Sequence, residues 1–298
     1  MNFKNVGELA ALLTAFCWTI SGISFEKAGK RVGSIAVNYV RLIFGFLFVS
    51  LYSLANRGLF FPVDATSHNW LWLSLSGFIG FFLGDLFLFQ AYVEVGSRIS
   101  MLIMASSPPI TALIEFIFLK EKLDLISLLG MLITVSGISI VILGKEEGKN
   151  KIKLNHSKKG LIFAFLGSLG QAIGLIISRI GMGAYNPLAA TQIRIISGFI
   201  GFTLLVIYLK KFKDIKTALK DKEAMKGIIL GSLFGPFIGV TLSLVSLQYT
   251  SAGISSTITS ITPVTIIPFS VLLFKEKVKL KEIFGAIISV IGVAILFL

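Results

Sequence analysis

The chain has 298 residues, 55% of them hydrophobic and 14% charged, with a mean hydropathy of +0.88 and a net charge of +13. A soluble domain carries roughly 25% charged residues, so a soluble globule is excluded, and 26 phenylalanines against 7 prolines exclude a disordered chain. The basic residues lie in short loops between apolar runs, which points to a membrane surface and away from nucleic acid.

Apolar runs of about 20 residues, each long enough to cross a bilayer core, predict an all-α polytopic membrane protein. Ten transmembrane helices are expected, at about 6–26, 34–55, 70–92, 97–119, 124–143, 160–180, 187–209, 227–247, 252–274 and 279–297. The first run is followed by further spans and reads as a helix, not a cleaved signal. It holds the single cysteine, Cys17, so no internal disulfide can form. The stretch from Gly227 to Phe274 has no charge and is too long for one crossing; Gln248 to Gly253 supplies its break. The matching break in the first half is Glu94 to Arg98.

The two halves repeat. An offset of 155 carries Pro108 onto Pro263, Glu121 onto Glu276, Gly130 onto Gly285 and Gly137 onto Gly292, and carries Gly80 and Gly84 onto Gly235 and Gly239. Earlier in each half an offset of 153 carries Gly7 onto Gly160, Arg41 onto Arg194 and Gly45 onto Gly198. The expected organisation is a first five-helix repeat at 1–144, a hydrophilic, basic linker at 145–159, and a second repeat at 160–298. Five is odd, so the second repeat inserts upside down relative to the first, the inverted duplication of many secondary transporters. Both termini then share a side with Lys4, Arg57, Lys120, Lys122 and Arg179, while twenty-one basic residues lie on the other. The positive-inside rule places that richer side in the cytoplasm and the termini outside. In the 210–226 loop, Phe212, Ile215 and Leu219 recur at helical spacing among lysines, as in a short helix lying on an anionic membrane surface or in a merely solvated loop.

Several segments resemble the drug/metabolite transporter superfamily, in particular its ten-helix proteins built from two EamA-type repeats. They are Phe16-Cys17-Trp18, Tyr39-Val40-Arg41-Leu42, Gly84 through Tyr92, Ser107-Pro108, and Leu119 through Leu123 with the glycines that follow. The resemblance covers nearly the whole chain. It implies a central cavity lined mainly by the first, third and fourth helices of each repeat, and export of small metabolites such as amino acids. It also implies cytoplasmic termini, against the lysine distribution.

Ionisable groups within a bilayer cost roughly 2.5–3.5 kcal/mol on insertion scales, which singles out Arg41, Asp85, Glu115 and Arg194. Depth along the helices puts Arg41 level with Asp85, so an ion pair is open. Asp85 is matched in the second half only by Val240, which leaves Arg194 without a local acid. These groups read either as structural ion pairs or as working groups: an arginine binding a substrate carboxylate, with Asp85 or Glu115 taking up a proton. Pro108 and Pro263, flanked by Ser107, Ser260 and Thr262, read as mid-helix kinks that either shape the site or merely aid packing. Trp18 and Gln171 occupy equivalent places, and an aromatic wall opposite an amide suits an amino acid. Ser21, Asn38, Gln90, Tyr92 and Gln192 are further cavity candidates, being polar where lipid would not accept them.

His68 and His156 lie in loops, no cluster has metal-ligand spacing and no phosphate-binding loop is present, so neither an enzyme nor a metal, cofactor or nucleotide requirement is expected. The expected function is a secondary exporter of small polar metabolites, above all amino acids, in the plasma membrane of a bacterium or archaeon. Protons are a candidate coupling ion, and monomer and homodimer both stay open. The alternative is an efflux carrier for lipophilic cations, which requires an acid free in the cavity.

Overall fold

The computed structural model describes residues 6–118, 125–145, 152–154, 156–250, 252–275 and 277–296. Among the described residues the regular structure is helical apart from a three-residue antiparallel pair, β1 (Leu143–Lys145) with β2 (Ile152–Leu154). Glu121 and Glu276, matched by the repeat, fall outside the described residues, as does the side chain of Glu115.

The first half contains α1 (Val6–Val32), α2 (Ser34–Arg57), α3 (Ser67–Gly77), α4 (Asp85–Met104), α5 (Ser107–Phe118) and α6 (Leu125–Ile142). The second contains α7 (Lys158–Met182), α8 (Pro187–Leu209), α9 (Phe212–Lys220), α10 (Lys222–Ser232), α11 (Val240–Tyr249), α12 (Ala252–Thr259), α13 (Thr262–Phe274) and α14 (Leu280–Leu296). Among the described residues, seven helical runs are long and apolar enough to cross a membrane, and Thr262–Phe274 is a shorter apolar helix.

Three boundaries depart from the sequence expectation. Helix α1 continues six residues past 26, because Glu26 stays buried inside the protein. Its carboxylate accepts the Ser97 backbone N–H at 2.6 Å and pairs with Lys30. Ser97 follows Gly96, whose φ of 82° turns the chain out of the helix there; Glu26 therefore satisfies an amide at a fresh helix start. Secondly, α3 joins α4 through a π-helical stretch, Phe78–Gly84, and α10 joins α11 through another, Leu233–Gly239. Thirdly, the prolines do not kink continuous helices. The chain breaks at Ala105-Ser106 and at Ser260-Ile261, and Pro108 and Pro263 fall in the first turns of α5 and α13, where a missing N–H matters least. The amides at the breaks stay paired: Ala105 and Ser106 donate to Leu102 and Ile103, and Ser260 and Ile261 to Ser256 and Ile258.

The halves meet through contacts that recur when the halves are exchanged. A Cβ on Gly160 of α7 would press on Val95 and Glu94, and one on Gly7 of α1 would press on Thr250. Gly198 of α8 lies against Phe81, as Gly45 of α2 lies against Pro236. A close crossing brings Gly170 of α7 against Gly84, where a Cβ would sit 2.6 Å from the Gly84 Cα. Its counterpart sets Cys17 of α1 against Gly239. Backbones this close bring both π-helical stretches to the interface between the halves.

Candidate functional site

A cavity of about 170 Å³ opens between the halves, lined by α1, α2, α4, α5, α7, α8, α11, α12 and α13 and by both π-helical stretches. Its floor of charge comes from three residues. Arg41 and Arg194 are each 3% exposed and Asp85 is 5% exposed.

Arg41 is held from several directions. Its Nη2 pairs with Asp85 Oδ2, its Nε donates to Asn38 Oδ1 at 2.8 Å, and the guanidinium lies 4.5 Å from the Phe89 ring centroid. Asn38 also donates to the Asp85 carbonyl at 3.2 Å, so it orients both partners. The other Asp85 oxygen, Oδ1, accepts from Gln171 Nε2 at 2.7 Å, and the same amide donates to the Gly80 carbonyl at 3.3 Å. Asp85 is therefore occupied on both oxygens.

Arg194 differs. Its guanidinium stacks over Phe81, 4.6 Å from the centroid, and its buried Nε has no hydrogen-bond partner. Among the described residues it forms no ion pair within 4.0 Å, although Asp85 is near enough to feel its charge. Among the described residues two arginines stand against one carboxylate on the cavity wall, and an unpartnered buried guanidinium N–H is costly unless something binds it.

The cavity wall is also rich in hydroxyls whose protons are already used. Ser21 donates to the Trp18 carbonyl, Ser243 to Val240, Thr259 to Ser255, Ser260 to Ser256 and Thr262 to Thr259, at 2.7 to 3.2 Å. A hydroxyl that has spent its proton on its own helix presents only lone pairs. The site thus holds both a donor cation and a bank of acceptors.

Comparison with known proteins agrees with this architecture. The EamA-like transporter family matches residues 5–143 and again residues 158–298. This chain belongs to the EamA-like transporter family. Uncharacterized transporters from Archaeoglobus fulgidus and Synechocystis are similar to it, at 24% identity over 97% of both chains and at 23% over 96% of this chain and 88% of the other. A third, YetK of Bacillus subtilis, is 22% identical over 74% of this chain and 65% of its own. One crystal structure shares the fold with a TM-score of 0.64 at 13% identity, over 97% of this chain and 95% of that one.

In this EamA-like protein the cavity brings together Trp18, Ser21, Arg41, Asp85, Tyr92, Ser107, Pro108, Gln171, Arg194, Ser260, Thr262 and Pro263. Three sequence candidates lie elsewhere. Asn38 is fully buried behind the Arg41–Asp85 pair. Gln90 accepts from Ser34 at 2.6 Å and donates to Glu94, away from the cavity. Gln192 donates to Ser50 and to the Phe60 carbonyl, tying α8 to the end of α2. Gln171 is not an open amide facing Trp18, because Asp85 and Gly80 engage it.

Other lining residues escaped the sequence reading: Phe25, Phe81 and Phe89 around the arginines, and Thr111, Ser243, Ser256 and Thr259 among the hydroxyls. Ser256, Thr259 and Ser260 at i, i+3 and i+4 share a helix face, a pattern legible in the sequence. Nothing marks Phe81 out from the other phenylalanines.

Proposed function

We propose that the protein is a secondary transporter that exports small zwitterionic metabolites, amino acids in the first place. Its spans would be ten: α1, α2, α3 to Val95, Ser97 to the end of α5, α6, α7, α8, α10 with α11, α12 with α13, and α14. Two inverted sets of five would then rock about the cavity in alternating access. The observation that carries the reading is Arg194, a buried guanidinium with an unpartnered Nε on the wall of a cavity that is also lined by hydroxyls whose protons are spent on their own helices. A substrate carboxylate satisfies the first and its ammonium the second.

Size and charge both weigh against lipophilic cations. A cavity of about 170 Å³ falls below the roughly 300 Å³ at which pockets for drug-sized ligands begin. The single described acid on its wall, Asp85, is already held by Arg41 and Gln171. With both oxygens engaged, Asp85 serves to hold the site in shape, and a proton-coupling role requires the Arg41 pair to open first.

The deciding measurement is counterflow into liposomes carrying the purified protein. The panel holds an amino acid series, the matching amines without the carboxylate, the matching acids without the amine, and one lipophilic cation. Accumulation of the amino acids alone supports the proposal. Accumulation of the cation alone, or equal accumulation of amines and amino acids, overturns it.

A further inference from the structure

The lysines that follow α8 take no part in the cavity, yet they are arranged. In α9, Ala218 is fully buried and Ile215 packs on the core. At about 100° per residue, Phe212, Lys216 and Leu219 share the outward face, and Lys213 and Lys220 adjoin it on one flank. Phe212 and Leu219 are 59% and 55% exposed. Lys210, Lys211 and Lys222 bracket the helix, and all six lysines are exposed. Among the described residues only Lys211 of the six has an acid, Asp214 at 2.8 Å. Just before the helix stands Tyr208, 82% exposed at the end of an apolar span, where aromatic side chains mark the membrane–water boundary.

We infer that α9 and its flanking lysines form a binding surface for the headgroups of anionic phospholipids. Phe212 and Leu219 enter the acyl boundary, and Lys213, Lys216 and Lys220 reach the phosphates beside them. A greasy edge next to a cationic one fits an anionic membrane surface; a solvated loop has no use for the exposed Phe212 and Leu219. The surface is also wired into the fold. Asp221, directly after α9, caps the first turn of α10 at the Glu223 and Ala224 amides and pairs with Arg31 at the end of α1 at 2.9 Å. Lipid held by α9 thus bears on the point where the two halves are tied on that side.

The test uses the full-length protein with Thr217→Cys in a Cys17→Ser background, labelled with a fluorophore and reconstituted in phosphatidylcholine vesicles. Quenching by spin-labelled phosphatidylglycerol against spin-labelled phosphatidylcholine reads the relative association at α9. Each lysine near an anionic surface strengthens association about fivefold, so a preference for phosphatidylglycerol of at least about tenfold is expected, shrinking in high salt. The exposed triple variant K213Q/K216Q/K220Q, checked for an unchanged melting temperature, should bring the two lipids near parity. A wild-type protein without preference, or a variant that keeps it, overturns the inference. So does displacement by inorganic phosphate at fixed ionic strength, which would assign the lysines to a free anion.

Discussion

The two halves carry an arginine at the same place and treat it in opposite ways. In the first, Arg41 has Asp85, Asn38 and the ring of Phe89. In the second, the position matching Asp85 is Val240, the position matching Asn38 is Thr191, and Thr191 spends its hydroxyl on the Pro187 carbonyl. Arg194 keeps only the face of Phe81, a ring that also lies 5.9 Å from Arg41. Contacts between the halves, breaks in the helices and π-helical stretches all recur at matched positions, so this contrast is chemical and not architectural. Duplication supplied two buried cations. An acid in only one copy leaves Arg194 with a charge that no described acid pairs with, and such a charge selects for an anionic ligand.

The comparison breaks most severely at Asp85. Replacing it by alanine strands Arg41 at 3% exposure, and breaking a buried pair from one side costs about 3–5 kcal/mol. Thermal melting in detergent should show that loss together with abolished transport; a stable, silent variant would mean that Asp85 acts on substrate and not on the fold. Arg194→Ala should do the reverse. No ion pair is lost, so the melting temperature should hold, whereas a charged hydrogen bond to a carboxylate contributes about 1.5–3 kcal/mol. The Michaelis constant for an amino acid should rise on the order of 10- to 100-fold, and an unchanged constant would remove Arg194 from the site. Val240→Asp sharpens the contrast by making the second half resemble the first. Its carboxylate would capture Arg194, with transport falling about tenfold while the melting temperature stays level or rises.

Much of this was readable from residues alone. The duplication fixed the breaks near Gly96 and Thr250, because small and polar residues interrupt long apolar runs at matched places. The cost of charge in lipid picked out Arg41, Asp85 and Arg194. What failed did so for physical reasons. Glu26, Lys27, Lys30 and Arg31 look like the start of a loop, but Glu26 finds the Ser97 amide and Lys30, so α1 runs on. Proline was read by its power to kink, whereas at Pro108 and Pro263 it opens a helix, where its missing N–H costs nothing. The π-helical stretches carry no compositional mark; they lie packed against α7 and α1, at Gly84 and Gly239. Gln90 and Gln192 were drawn into the site because a polar side chain in a span needs a partner. Both find one off the cavity, in Ser34 and in Ser50.

Outside the spans a smaller asymmetry can be read by pH. In the loop after α2, Asp64 accepts from Arg57 at 2.5 Å and from the Tyr185 hydroxyl at 2.9 Å, which joins the two halves on the side opposite α9. Burial pushes the Asp64 carboxyl up, but the hydrogen bonds from Tyr185 and Arg57 outweigh it and hold the group below the usual carboxylate value. Burial first, then the bond to Asp64, pushes the Tyr185 phenol up to about 12. A lowered carboxyl stabilises the fold above its unfolded value of about 3.9, and that contribution disappears as pH falls through the folded value. A raised phenol stabilises below its unfolded value of about 10 and loses that contribution as pH rises through the folded one. The gap in melting temperature between the wild type and Asp64→Asn should therefore be flat from about pH 5 to 9 and close as pH falls through the folded value of the Asp64 carboxyl. With the Asp64 side chain 42% exposed, the gap corresponds to less than about 1 kcal/mol. A gap as wide below that folded value as at pH 7 would show that Asp64 acts through packing, since a protonated carboxyl and an asparagine amide are otherwise alike in charge and size.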